Sequence, residues 1–114
     1  MKGKVTHDVA ELVIERDMGT CVAKASKGCT REQQQIHHRR ARGMGSTSRP
    51  ESNLAANLIS LCASCHAWIE SHRQAAMLNG WIIGQYKTPA ERPMIWHGKV
   101  VLLDDQGGVS PGMM

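Results

Sequence analysis

Four cysteines constrain this chain of 114 residues more than any other feature. Cys62 and Cys65 form a Cys-x2-Cys pair directly before His66, and Cys21 and Cys29 stand upstream. Four thiolates suit one closed, tetrahedral zinc site, so we predict a structural Zn²⁺ bound by these cysteines. The Cys21–Cys29 gap is wider than the usual spacing of about two to four residues, but the chain has no other cysteine.

Two alternatives use the same four residues, namely a pair of disulfides or an iron–sulfur cluster. The chain starts without an apolar stretch typical of a signal peptide, and it has no apolar run near the roughly 18 residues of a membrane span. We therefore expect a cytoplasmic protein with no membrane contact, in which a reducing environment favours zinc. With no Phe, one Tyr and three Trp, the core is poor in large side chains, and metal binding can contribute about 10 kcal/mol or more to folding.

A second set of potential ligands surrounds this cysteine pair. His66 and Glu70 are four residues apart, so a helix would place both on one face, where they could bind another ion. The upstream pair His37-His38 adds a third ligand and a base, and strand alternation would direct these two side chains to opposite faces. Taken singly, each histidine is more often structural than catalytic. Taken together with Asn57, they favour a functional site.

The segment His37-His38-Arg39, followed by Asn57-Leu-x2-Leu-Cys-x2-Cys-His-x-Trp-Ile, resembles the HNH endonucleases, or ββα-metal nucleases. The resemblance is closest to small four-cysteine members from phage and prophage genomes of bacteria, and it covers about residues 9–105. It therefore implies that the cytoplasm in which the protein works is that of a bacterial host cell. It implies a single α+β domain with a ββα-metal core held together by the four-cysteine zinc site. It also implies a DNA endonuclease that hydrolyses phosphodiester bonds, by nicking or by double-strand cutting.

The resemblance further implies a role for each candidate site residue. His37, His66 and Glu70 would bind a catalytic divalent ion (Mg²⁺, Mn²⁺, Ni²⁺ or Zn²⁺), with Glu70 where many members have a second histidine. His38 would be the general base, and Asn57 would orient it through the loop backbone. A histidine suits the base because its pKa lies near neutral pH, and the ion would act as a Lewis acid on the phosphate.

Basic residues are concentrated between positions 24 and 49, where seven of them face a single acid, Glu32, whereas the whole chain carries only +4. Such a block beside a metal site favours double-stranded DNA as the partner, because Lys and Arg neutralise phosphates. Arg39, Arg40 and Arg42 are the predicted phosphate contacts. The ordinary alternative is a solvated, charged surface.

A non-catalytic protein is the competing hypothesis. Glu70 in place of histidine would suit a zinc-containing DNA-binding module that has lost catalysis. A zinc-containing adaptor that binds proteins of a phage packaging or repair complex is also consistent with the sequence.

Local patterns predict the order of elements. Asp8 and Glu11 form a capping box for a helix over residues 9–16. Hydrophobic periodicity and breaker residues then predict a strand at 34–40, a loop at 43–50, a strand at 57–61, a helix at 63–78, and strands at 81–86 and 95–103. The whole chain, 1–114, forms one domain, with a core at about 9–80, short C-terminal strands at about 81–105 and a frayed tail at 106–114.

Overall fold

The structure, a computed structural model, describes residues 4–41 and 50–114 and has a mixed α+β architecture. Three helices are present among these residues: α1 (His7–Arg16), α2 (Ala63–Ser71) and α3 (Arg73–Leu78). The strands are β1 (Gln35–His38), β2 (Leu58–Leu61), β3 (Met94–Trp96), β4 (Lys99–Leu103) and β5 (Val109–Pro111), with 3-10 turns at Pro50–Asn53, Ala55–Asn57 and Pro89–Glu91. They form two antiparallel sheets, β1–β2 and β3–β4–β5. The predicted α+β class is therefore confirmed.

The β1–β2 hairpin and helix α2 position the histidines and one cysteine pair. His37 lies opposite Ile59 and His38 opposite Leu58 in the antiparallel register. Strand β2 leads directly into Cys62, the N-cap of α2, whose Sγ accepts a hydrogen bond from the backbone N–H of Cys65 at 3.3 Å. The thiol thus takes the place of the hydroxyl or carboxylate that usually caps a helix.

The helices differ from their predicted bounds at two places. Helix α1 begins earlier, because Thr6 is its N-cap and its Oγ1 accepts from the backbone N–H of Val9 at 3.2 Å, so the predicted capping box at Asp8 is wrong. The single helix predicted over residues 63–78 is divided at His72, whose φ of −129° and ψ of 56° are not helical. The ring of His72 stacks on Trp68 with centroids 4.3 Å apart, which is a contact that periodicity alone cannot reveal.

The C-terminal half also departs from prediction. Residues 81–86 are not a strand, although Trp81, Ile82 and Ile83 are buried as an apolar run would suggest. A short apolar run fits a buried coil as well as a strand, so its pattern could not decide between them. The predicted strand at 95–103 is a hairpin of β3 and β4, and part of the predicted frayed tail is β5, paired with β4.

Two hydrophobic clusters lie on either side of the β1–β2 hairpin. The larger one joins β2, α2 and the β3–β4 hairpin, and the smaller one packs α1 against Ala55 and Leu58. Residues 4–41 and 50–114 contain no helix that is both long enough and apolar enough to cross a membrane.

A buried ion pair joins these parts. Arg16 and Asp17 contact each other through two hydrogen bonds of 2.8 and 2.9 Å. The guanidinium of Arg16 also donates to the carbonyls of Ala55 and Leu58, while the Asp17 carboxylate accepts from the backbone of Ser60 and the indole of Trp96. The pair therefore connects α1, β2 and β3.

Candidate metal centres

The four cysteines lie together in one cluster. Their Sγ atoms are within 4.8 Å of one another, and three of the four residues are buried. All four cysteines lie among the described residues, and none of them is disulfide-bonded. Zinc–sulfur bonds of about 2.3 Å in a tetrahedron place sulfurs about 3.8 Å apart, so the cluster has the dimensions that one zinc ion requires. The predicted set Cys21, Cys29, Cys62 and Cys65 is thus compatible with a structural zinc.

The wide Cys21–Cys29 spacing is accommodated because the intervening loop folds back on itself. Thr20 and Glu32 form an isolated antiparallel bridge, and the backbone N–H of Cys21 donates to the carbonyl of Arg31 at 3.0 Å. Lys24 and Arg31 have positive φ angles of 50° and 68°, which turn the chain sharply near each cysteine. The seven residues between Cys21 and Cys29 therefore allow both thiols to reach the same cluster.

Backbone N–H groups surround the thiols in the way that thiolates require. Those of Ala25 and Ser26 donate to Cys65 Sγ at 3.3 and 3.4 Å, and that of Arg31 donates to Cys29 Sγ at 3.3 Å. Burial opposes ionisation of Cys62, but hydrogen bonds, chiefly from the backbone N–H groups of Cys65 and Thr30, outweigh it and lower the pKa of Cys62 to about 6. Burial instead raises the pKa of Cys65 to about 12 and also raises that of Cys29, so these two thiols would lose their protons on binding a metal.

His37, His66 and Glu70 form a second cluster, in which one potential ligand atom from each residue lies within 4.8 Å of the others. The sequence predicts that these three residues bind one ion, and the structure brings their side chains together. His37 is buried on β1, His66 is 31% exposed in the first turn of α2, and Glu70 is 53% exposed one turn later. Two imidazoles and one carboxylate are a donor set that could hold a divalent ion, in which the carboxylate oxygen suits Mg²⁺ or Mn²⁺ and the imidazoles suit Ni²⁺ or Zn²⁺.

Hydrogen bonds fix the tautomers of both imidazoles. His37 Nε2 donates to the Trp81 carbonyl at 2.8 Å, and His66 Nδ1 donates to the side-chain oxygen of Gln35. These acceptors leave the lone pairs on His37 Nδ1 and His66 Nε2, and the latter lies 3.9 Å from a carboxylate oxygen of Glu70. Metal-binding histidines usually donate their other N–H in this manner.

Electrostatics keep His37 in the form that binds metals. Burial lowers the pKa of His37 to about 4, with a smaller contribution from His66, and the hydrogen bond to the Trp81 carbonyl only partly opposes this. His37 is therefore neutral at physiological pH, with a lone pair available.

His38 has a partner that spacing did not identify. Its Nε2 donates to Asn53 Oδ1 at 2.9 Å, whereas the resemblance emphasised Asn57. Asn53 stands in a 3-10 turn 15 residues after His38, so only tertiary structure brings the two side chains together.

Asn57 is buried and fixes the backbone on both sides of this contact. Its Oδ1 accepts from the backbone N–H of Arg40 at 2.7 Å, and its Nδ2 donates to the carbonyls of Arg40 and Ser52 at 3.0 and 2.9 Å. Arg40 follows His38 by two residues, and Ser52 directly precedes Asn53. Asn57 therefore holds the backbone close to both His38 and Asn53, as a positioning residue would.

The predicted phosphate contacts need correction. Arg39 is only 1% exposed and donates to the carbonyls of Gly80, Ala56, Pro89 and Arg92, so its guanidinium cannot contact DNA in this structure. Arg40 is 4% exposed and donates to the Lys87 carbonyl and to Ser52 Oγ, with Glu51 at 3.8 Å. Arg39 and Arg40 therefore do not contribute to a basic surface, although both belong to the basic block in the sequence.

The remaining basic residues are distributed differently. Arg42 and positions 43–49 of the predicted loop lie outside the described residues. Lys24, Lys27 and Arg31 are exposed on the loop that carries Cys21 and Cys29. Arg73 lies outside the basic block at positions 24–49. It is also exposed, and its guanidinium forms an ion pair with Glu70 at 3.0 Å.

Comparison with known proteins adds no further constraint. No protein-family model, curated protein or solved structure matches this chain.

Proposed function

We propose that this chain is a metal-dependent DNA endonuclease of the HNH type, which hydrolyses phosphodiester bonds. The observation that carries the proposal is the cluster of His37, His66 and Glu70, with both imidazoles held in the metal-binding tautomer, next in sequence to a histidine held by Asn53. The order β1, β2, α2 supports a ββα-metal core, in which β1 carries His37 and α2 carries the other two ligands.

His38 is the proposed general base. His38 would accept a proton from the attacking water, and the hydrogen bond from its Nε2 to Asn53 would hold the ring in place. Asn57 would keep this ring in place by holding Arg40 and Ser52. A divalent ion at the three ligands would supply Lewis-acid stabilisation of the phosphate and of the leaving oxygen.

Double-stranded DNA is the proposed substrate. Since Arg39 and Arg40 are buried, the exposed Lys24, Lys27 and Arg31 are the side chains that we assign to phosphate contact. Replacing all three with glutamine should weaken DNA binding and make it less sensitive to salt, because each lost contact reduces the number of released counterions.

The experiment measures nicking of supercoiled plasmid by the zinc-loaded protein with added Mg²⁺, Mn²⁺, Ni²⁺ or Zn²⁺. His38→Ala should reduce the cleavage rate by about 10²- to 10⁴-fold, with zinc content and DNA binding unchanged, because a general base acts in the transition state. His7→Ala is the matched control, since His7 is an exposed histidine on α1. Equal cleavage by wild type and His38→Ala would reject this assignment of the base.

A zinc-containing adaptor without catalytic activity, such as a component of a phage packaging or repair complex, is the second candidate. Burial of Arg39 and Arg40 favours it, because it removes two of the three predicted phosphate contacts. Wild-type protein that cuts with none of the four ions, and whose DNA binding is weak and insensitive to salt, would establish this alternative over the enzyme.

A further inference from the structure

Gln35 lies beside the candidate metal centre without being one of its ligands. It is two residues before His37 on β1, so the pleat places both side chains on the same face of the hairpin. Helix α2 packs against β1, and the Gln35 side-chain oxygen accepts from His66 Nδ1. The contact joins residues 31 positions apart, and it connects the strand that carries one ligand to the helix that carries two.

We propose that Gln35 is a positioning residue of this metal centre, which holds His66 in the Nδ1–H tautomer and directs Nε2 toward the ion. The inference rests on the metal site of the proposed function but does not depend on DNA cleavage. An amide oxygen suits this role because it accepts a hydrogen bond without adding charge to a site that already contains Glu70.

The two histidines differ in how firmly they are held. His37 is buried and bonded to a backbone carbonyl, so its orientation follows from the fold itself. His66 is partly exposed, and its Nδ1 contact is made by an exposed side chain. Loss of Gln35 would let water compete for Nδ1 and would allow both tautomers of His66, one of which cannot present a lone pair at Nε2.

The test measures Mn²⁺ affinity of protein whose cysteine cluster is already loaded with zinc, by electron paramagnetic resonance of free Mn²⁺. Gln35→Leu should weaken Mn²⁺ binding by about 10- to 100-fold, the usual effect of removing such a partner. Gln35→Glu should bind Mn²⁺ as tightly as wild type or more tightly, because a carboxylate accepts the same N–H and makes the imidazole a stronger donor. Gln106→Leu is the matched control, since Gln106 is exposed in the β4–β5 turn, and its affinity should equal that of wild type.

A second readout follows the ring directly. Long-range ¹H–¹⁵N spectra of the Mn²⁺-free, zinc-loaded protein should show His66 with its proton on Nδ1 in wild type and Gln35→Glu, and a mixture of tautomers in Gln35→Leu. A purely structural role of Gln35 would change the melting temperature but not this tautomer ratio.

Three results would overturn the inference. These are unchanged Mn²⁺ affinity in Gln35→Leu, weakening in Gln35→Glu equal to that in Gln35→Leu, and absence of Mn²⁺ binding in wild type. The second result would mean that the Gln35 amide donates to His66 instead of accepting from it. Mn²⁺ binding that depends on Gln35, in a protein that cuts no DNA, would reject the proposed enzyme and support this inference.

Discussion

Replacing Arg39 with methionine separates a structural arginine from one that binds DNA. The guanidinium donates four hydrogen bonds of 2.7–3.1 Å to backbone carbonyls of Ala56, Gly80, Pro89 and Arg92. Burial, aided by the charges of Arg16 and Arg92, lowers the pKa of Arg39 to about 9, so the side chain stays cationic at neutral pH. Methionine keeps much of the apolar stem but donates none of these bonds.

The magnitude follows from the acceptors that would be left unpaired. Each buried carbonyl without a partner costs about 1–3 kcal/mol, while removal of a desolvated charge returns part of this. We expect Arg39→Met to lower the free energy of unfolding by about 3–5 kcal/mol, because the summed cost of the unpaired carbonyls exceeds the desolvation cost that is removed with the charge. A small domain has a total of about 5–15 kcal/mol, so the variant should be marginally stable.

Urea denaturation followed by tryptophan fluorescence, with zinc in excess, measures this change. Arg39→Lys should recover only a minor part of the loss, because one ammonium group cannot reach four carbonyls in different directions. Arg92→Met is the control, since this exposed side chain can be changed while its carbonyl still accepts from Arg39, and its effect should stay within about 0.5 kcal/mol. A loss below about 1 kcal/mol for Arg39→Met, together with a shallower salt dependence of DNA binding, would show that Arg39 contacts phosphate instead.

Three further predictions concern the metal centres and the buried ion pair. Cys62→Ser should abolish stoichiometric zinc binding and folding together, as measured by elemental analysis and circular dichroism, and a folded, zinc-free variant would contradict a structural zinc. Glu70→His should retain cleavage but shift the preferred ion from Mg²⁺ or Mn²⁺ toward Ni²⁺ or Zn²⁺ in the plasmid assay, whereas an unchanged preference would exclude Glu70 as a ligand. Asp17→Asn should destabilise the protein by about 3–5 kcal/mol in urea, because it leaves the buried Arg16 charge unpaired, and a change below 1 kcal/mol would refute this account.

Local spacing predicted the features that depend on a single element. The Cys-x2-Cys pair and the four-residue step from His66 to Glu70 follow from one turn and one helix. Cys21, Cys29 and His37 lie on other segments and were assigned by residue type and by the family resemblance, and the structure brings each set together. The bounds of β2 and the start of α2 were also close to prediction, because an apolar strand and a capping cysteine adjoin there.

Features that depend on distant segments could not be predicted in this way. A run of basic residues looks the same whether its side chains face solvent or backbone carbonyls, so Arg39 and Arg40 were assigned to DNA. Asn53 contacts His38 from 15 positions away in the sequence, and Asp17 contacts Trp96 from 79 positions away. Hydrophobic periodicity in a sequence does not reveal contacts between such distant segments.

The segment 80–92 has a consequence for how the protein opens and closes in solution. Its backbone supplies three acceptors to Arg39 and one each to His37 and Arg40, and the N–H of Ile83 donates to the Arg39 carbonyl. Detaching this irregular stretch would break all of these bonds together. The amide protons of Trp81 and Ile83, which donate to the carbonyls of Ala76 and Arg39 outside this segment, should therefore exchange with solvent at one common rate, as members of a single cooperative unit. A stretch without a strand or a long helix would then be among the last parts of the molecule to unfold, instead of fraying like an ordinary surface loop.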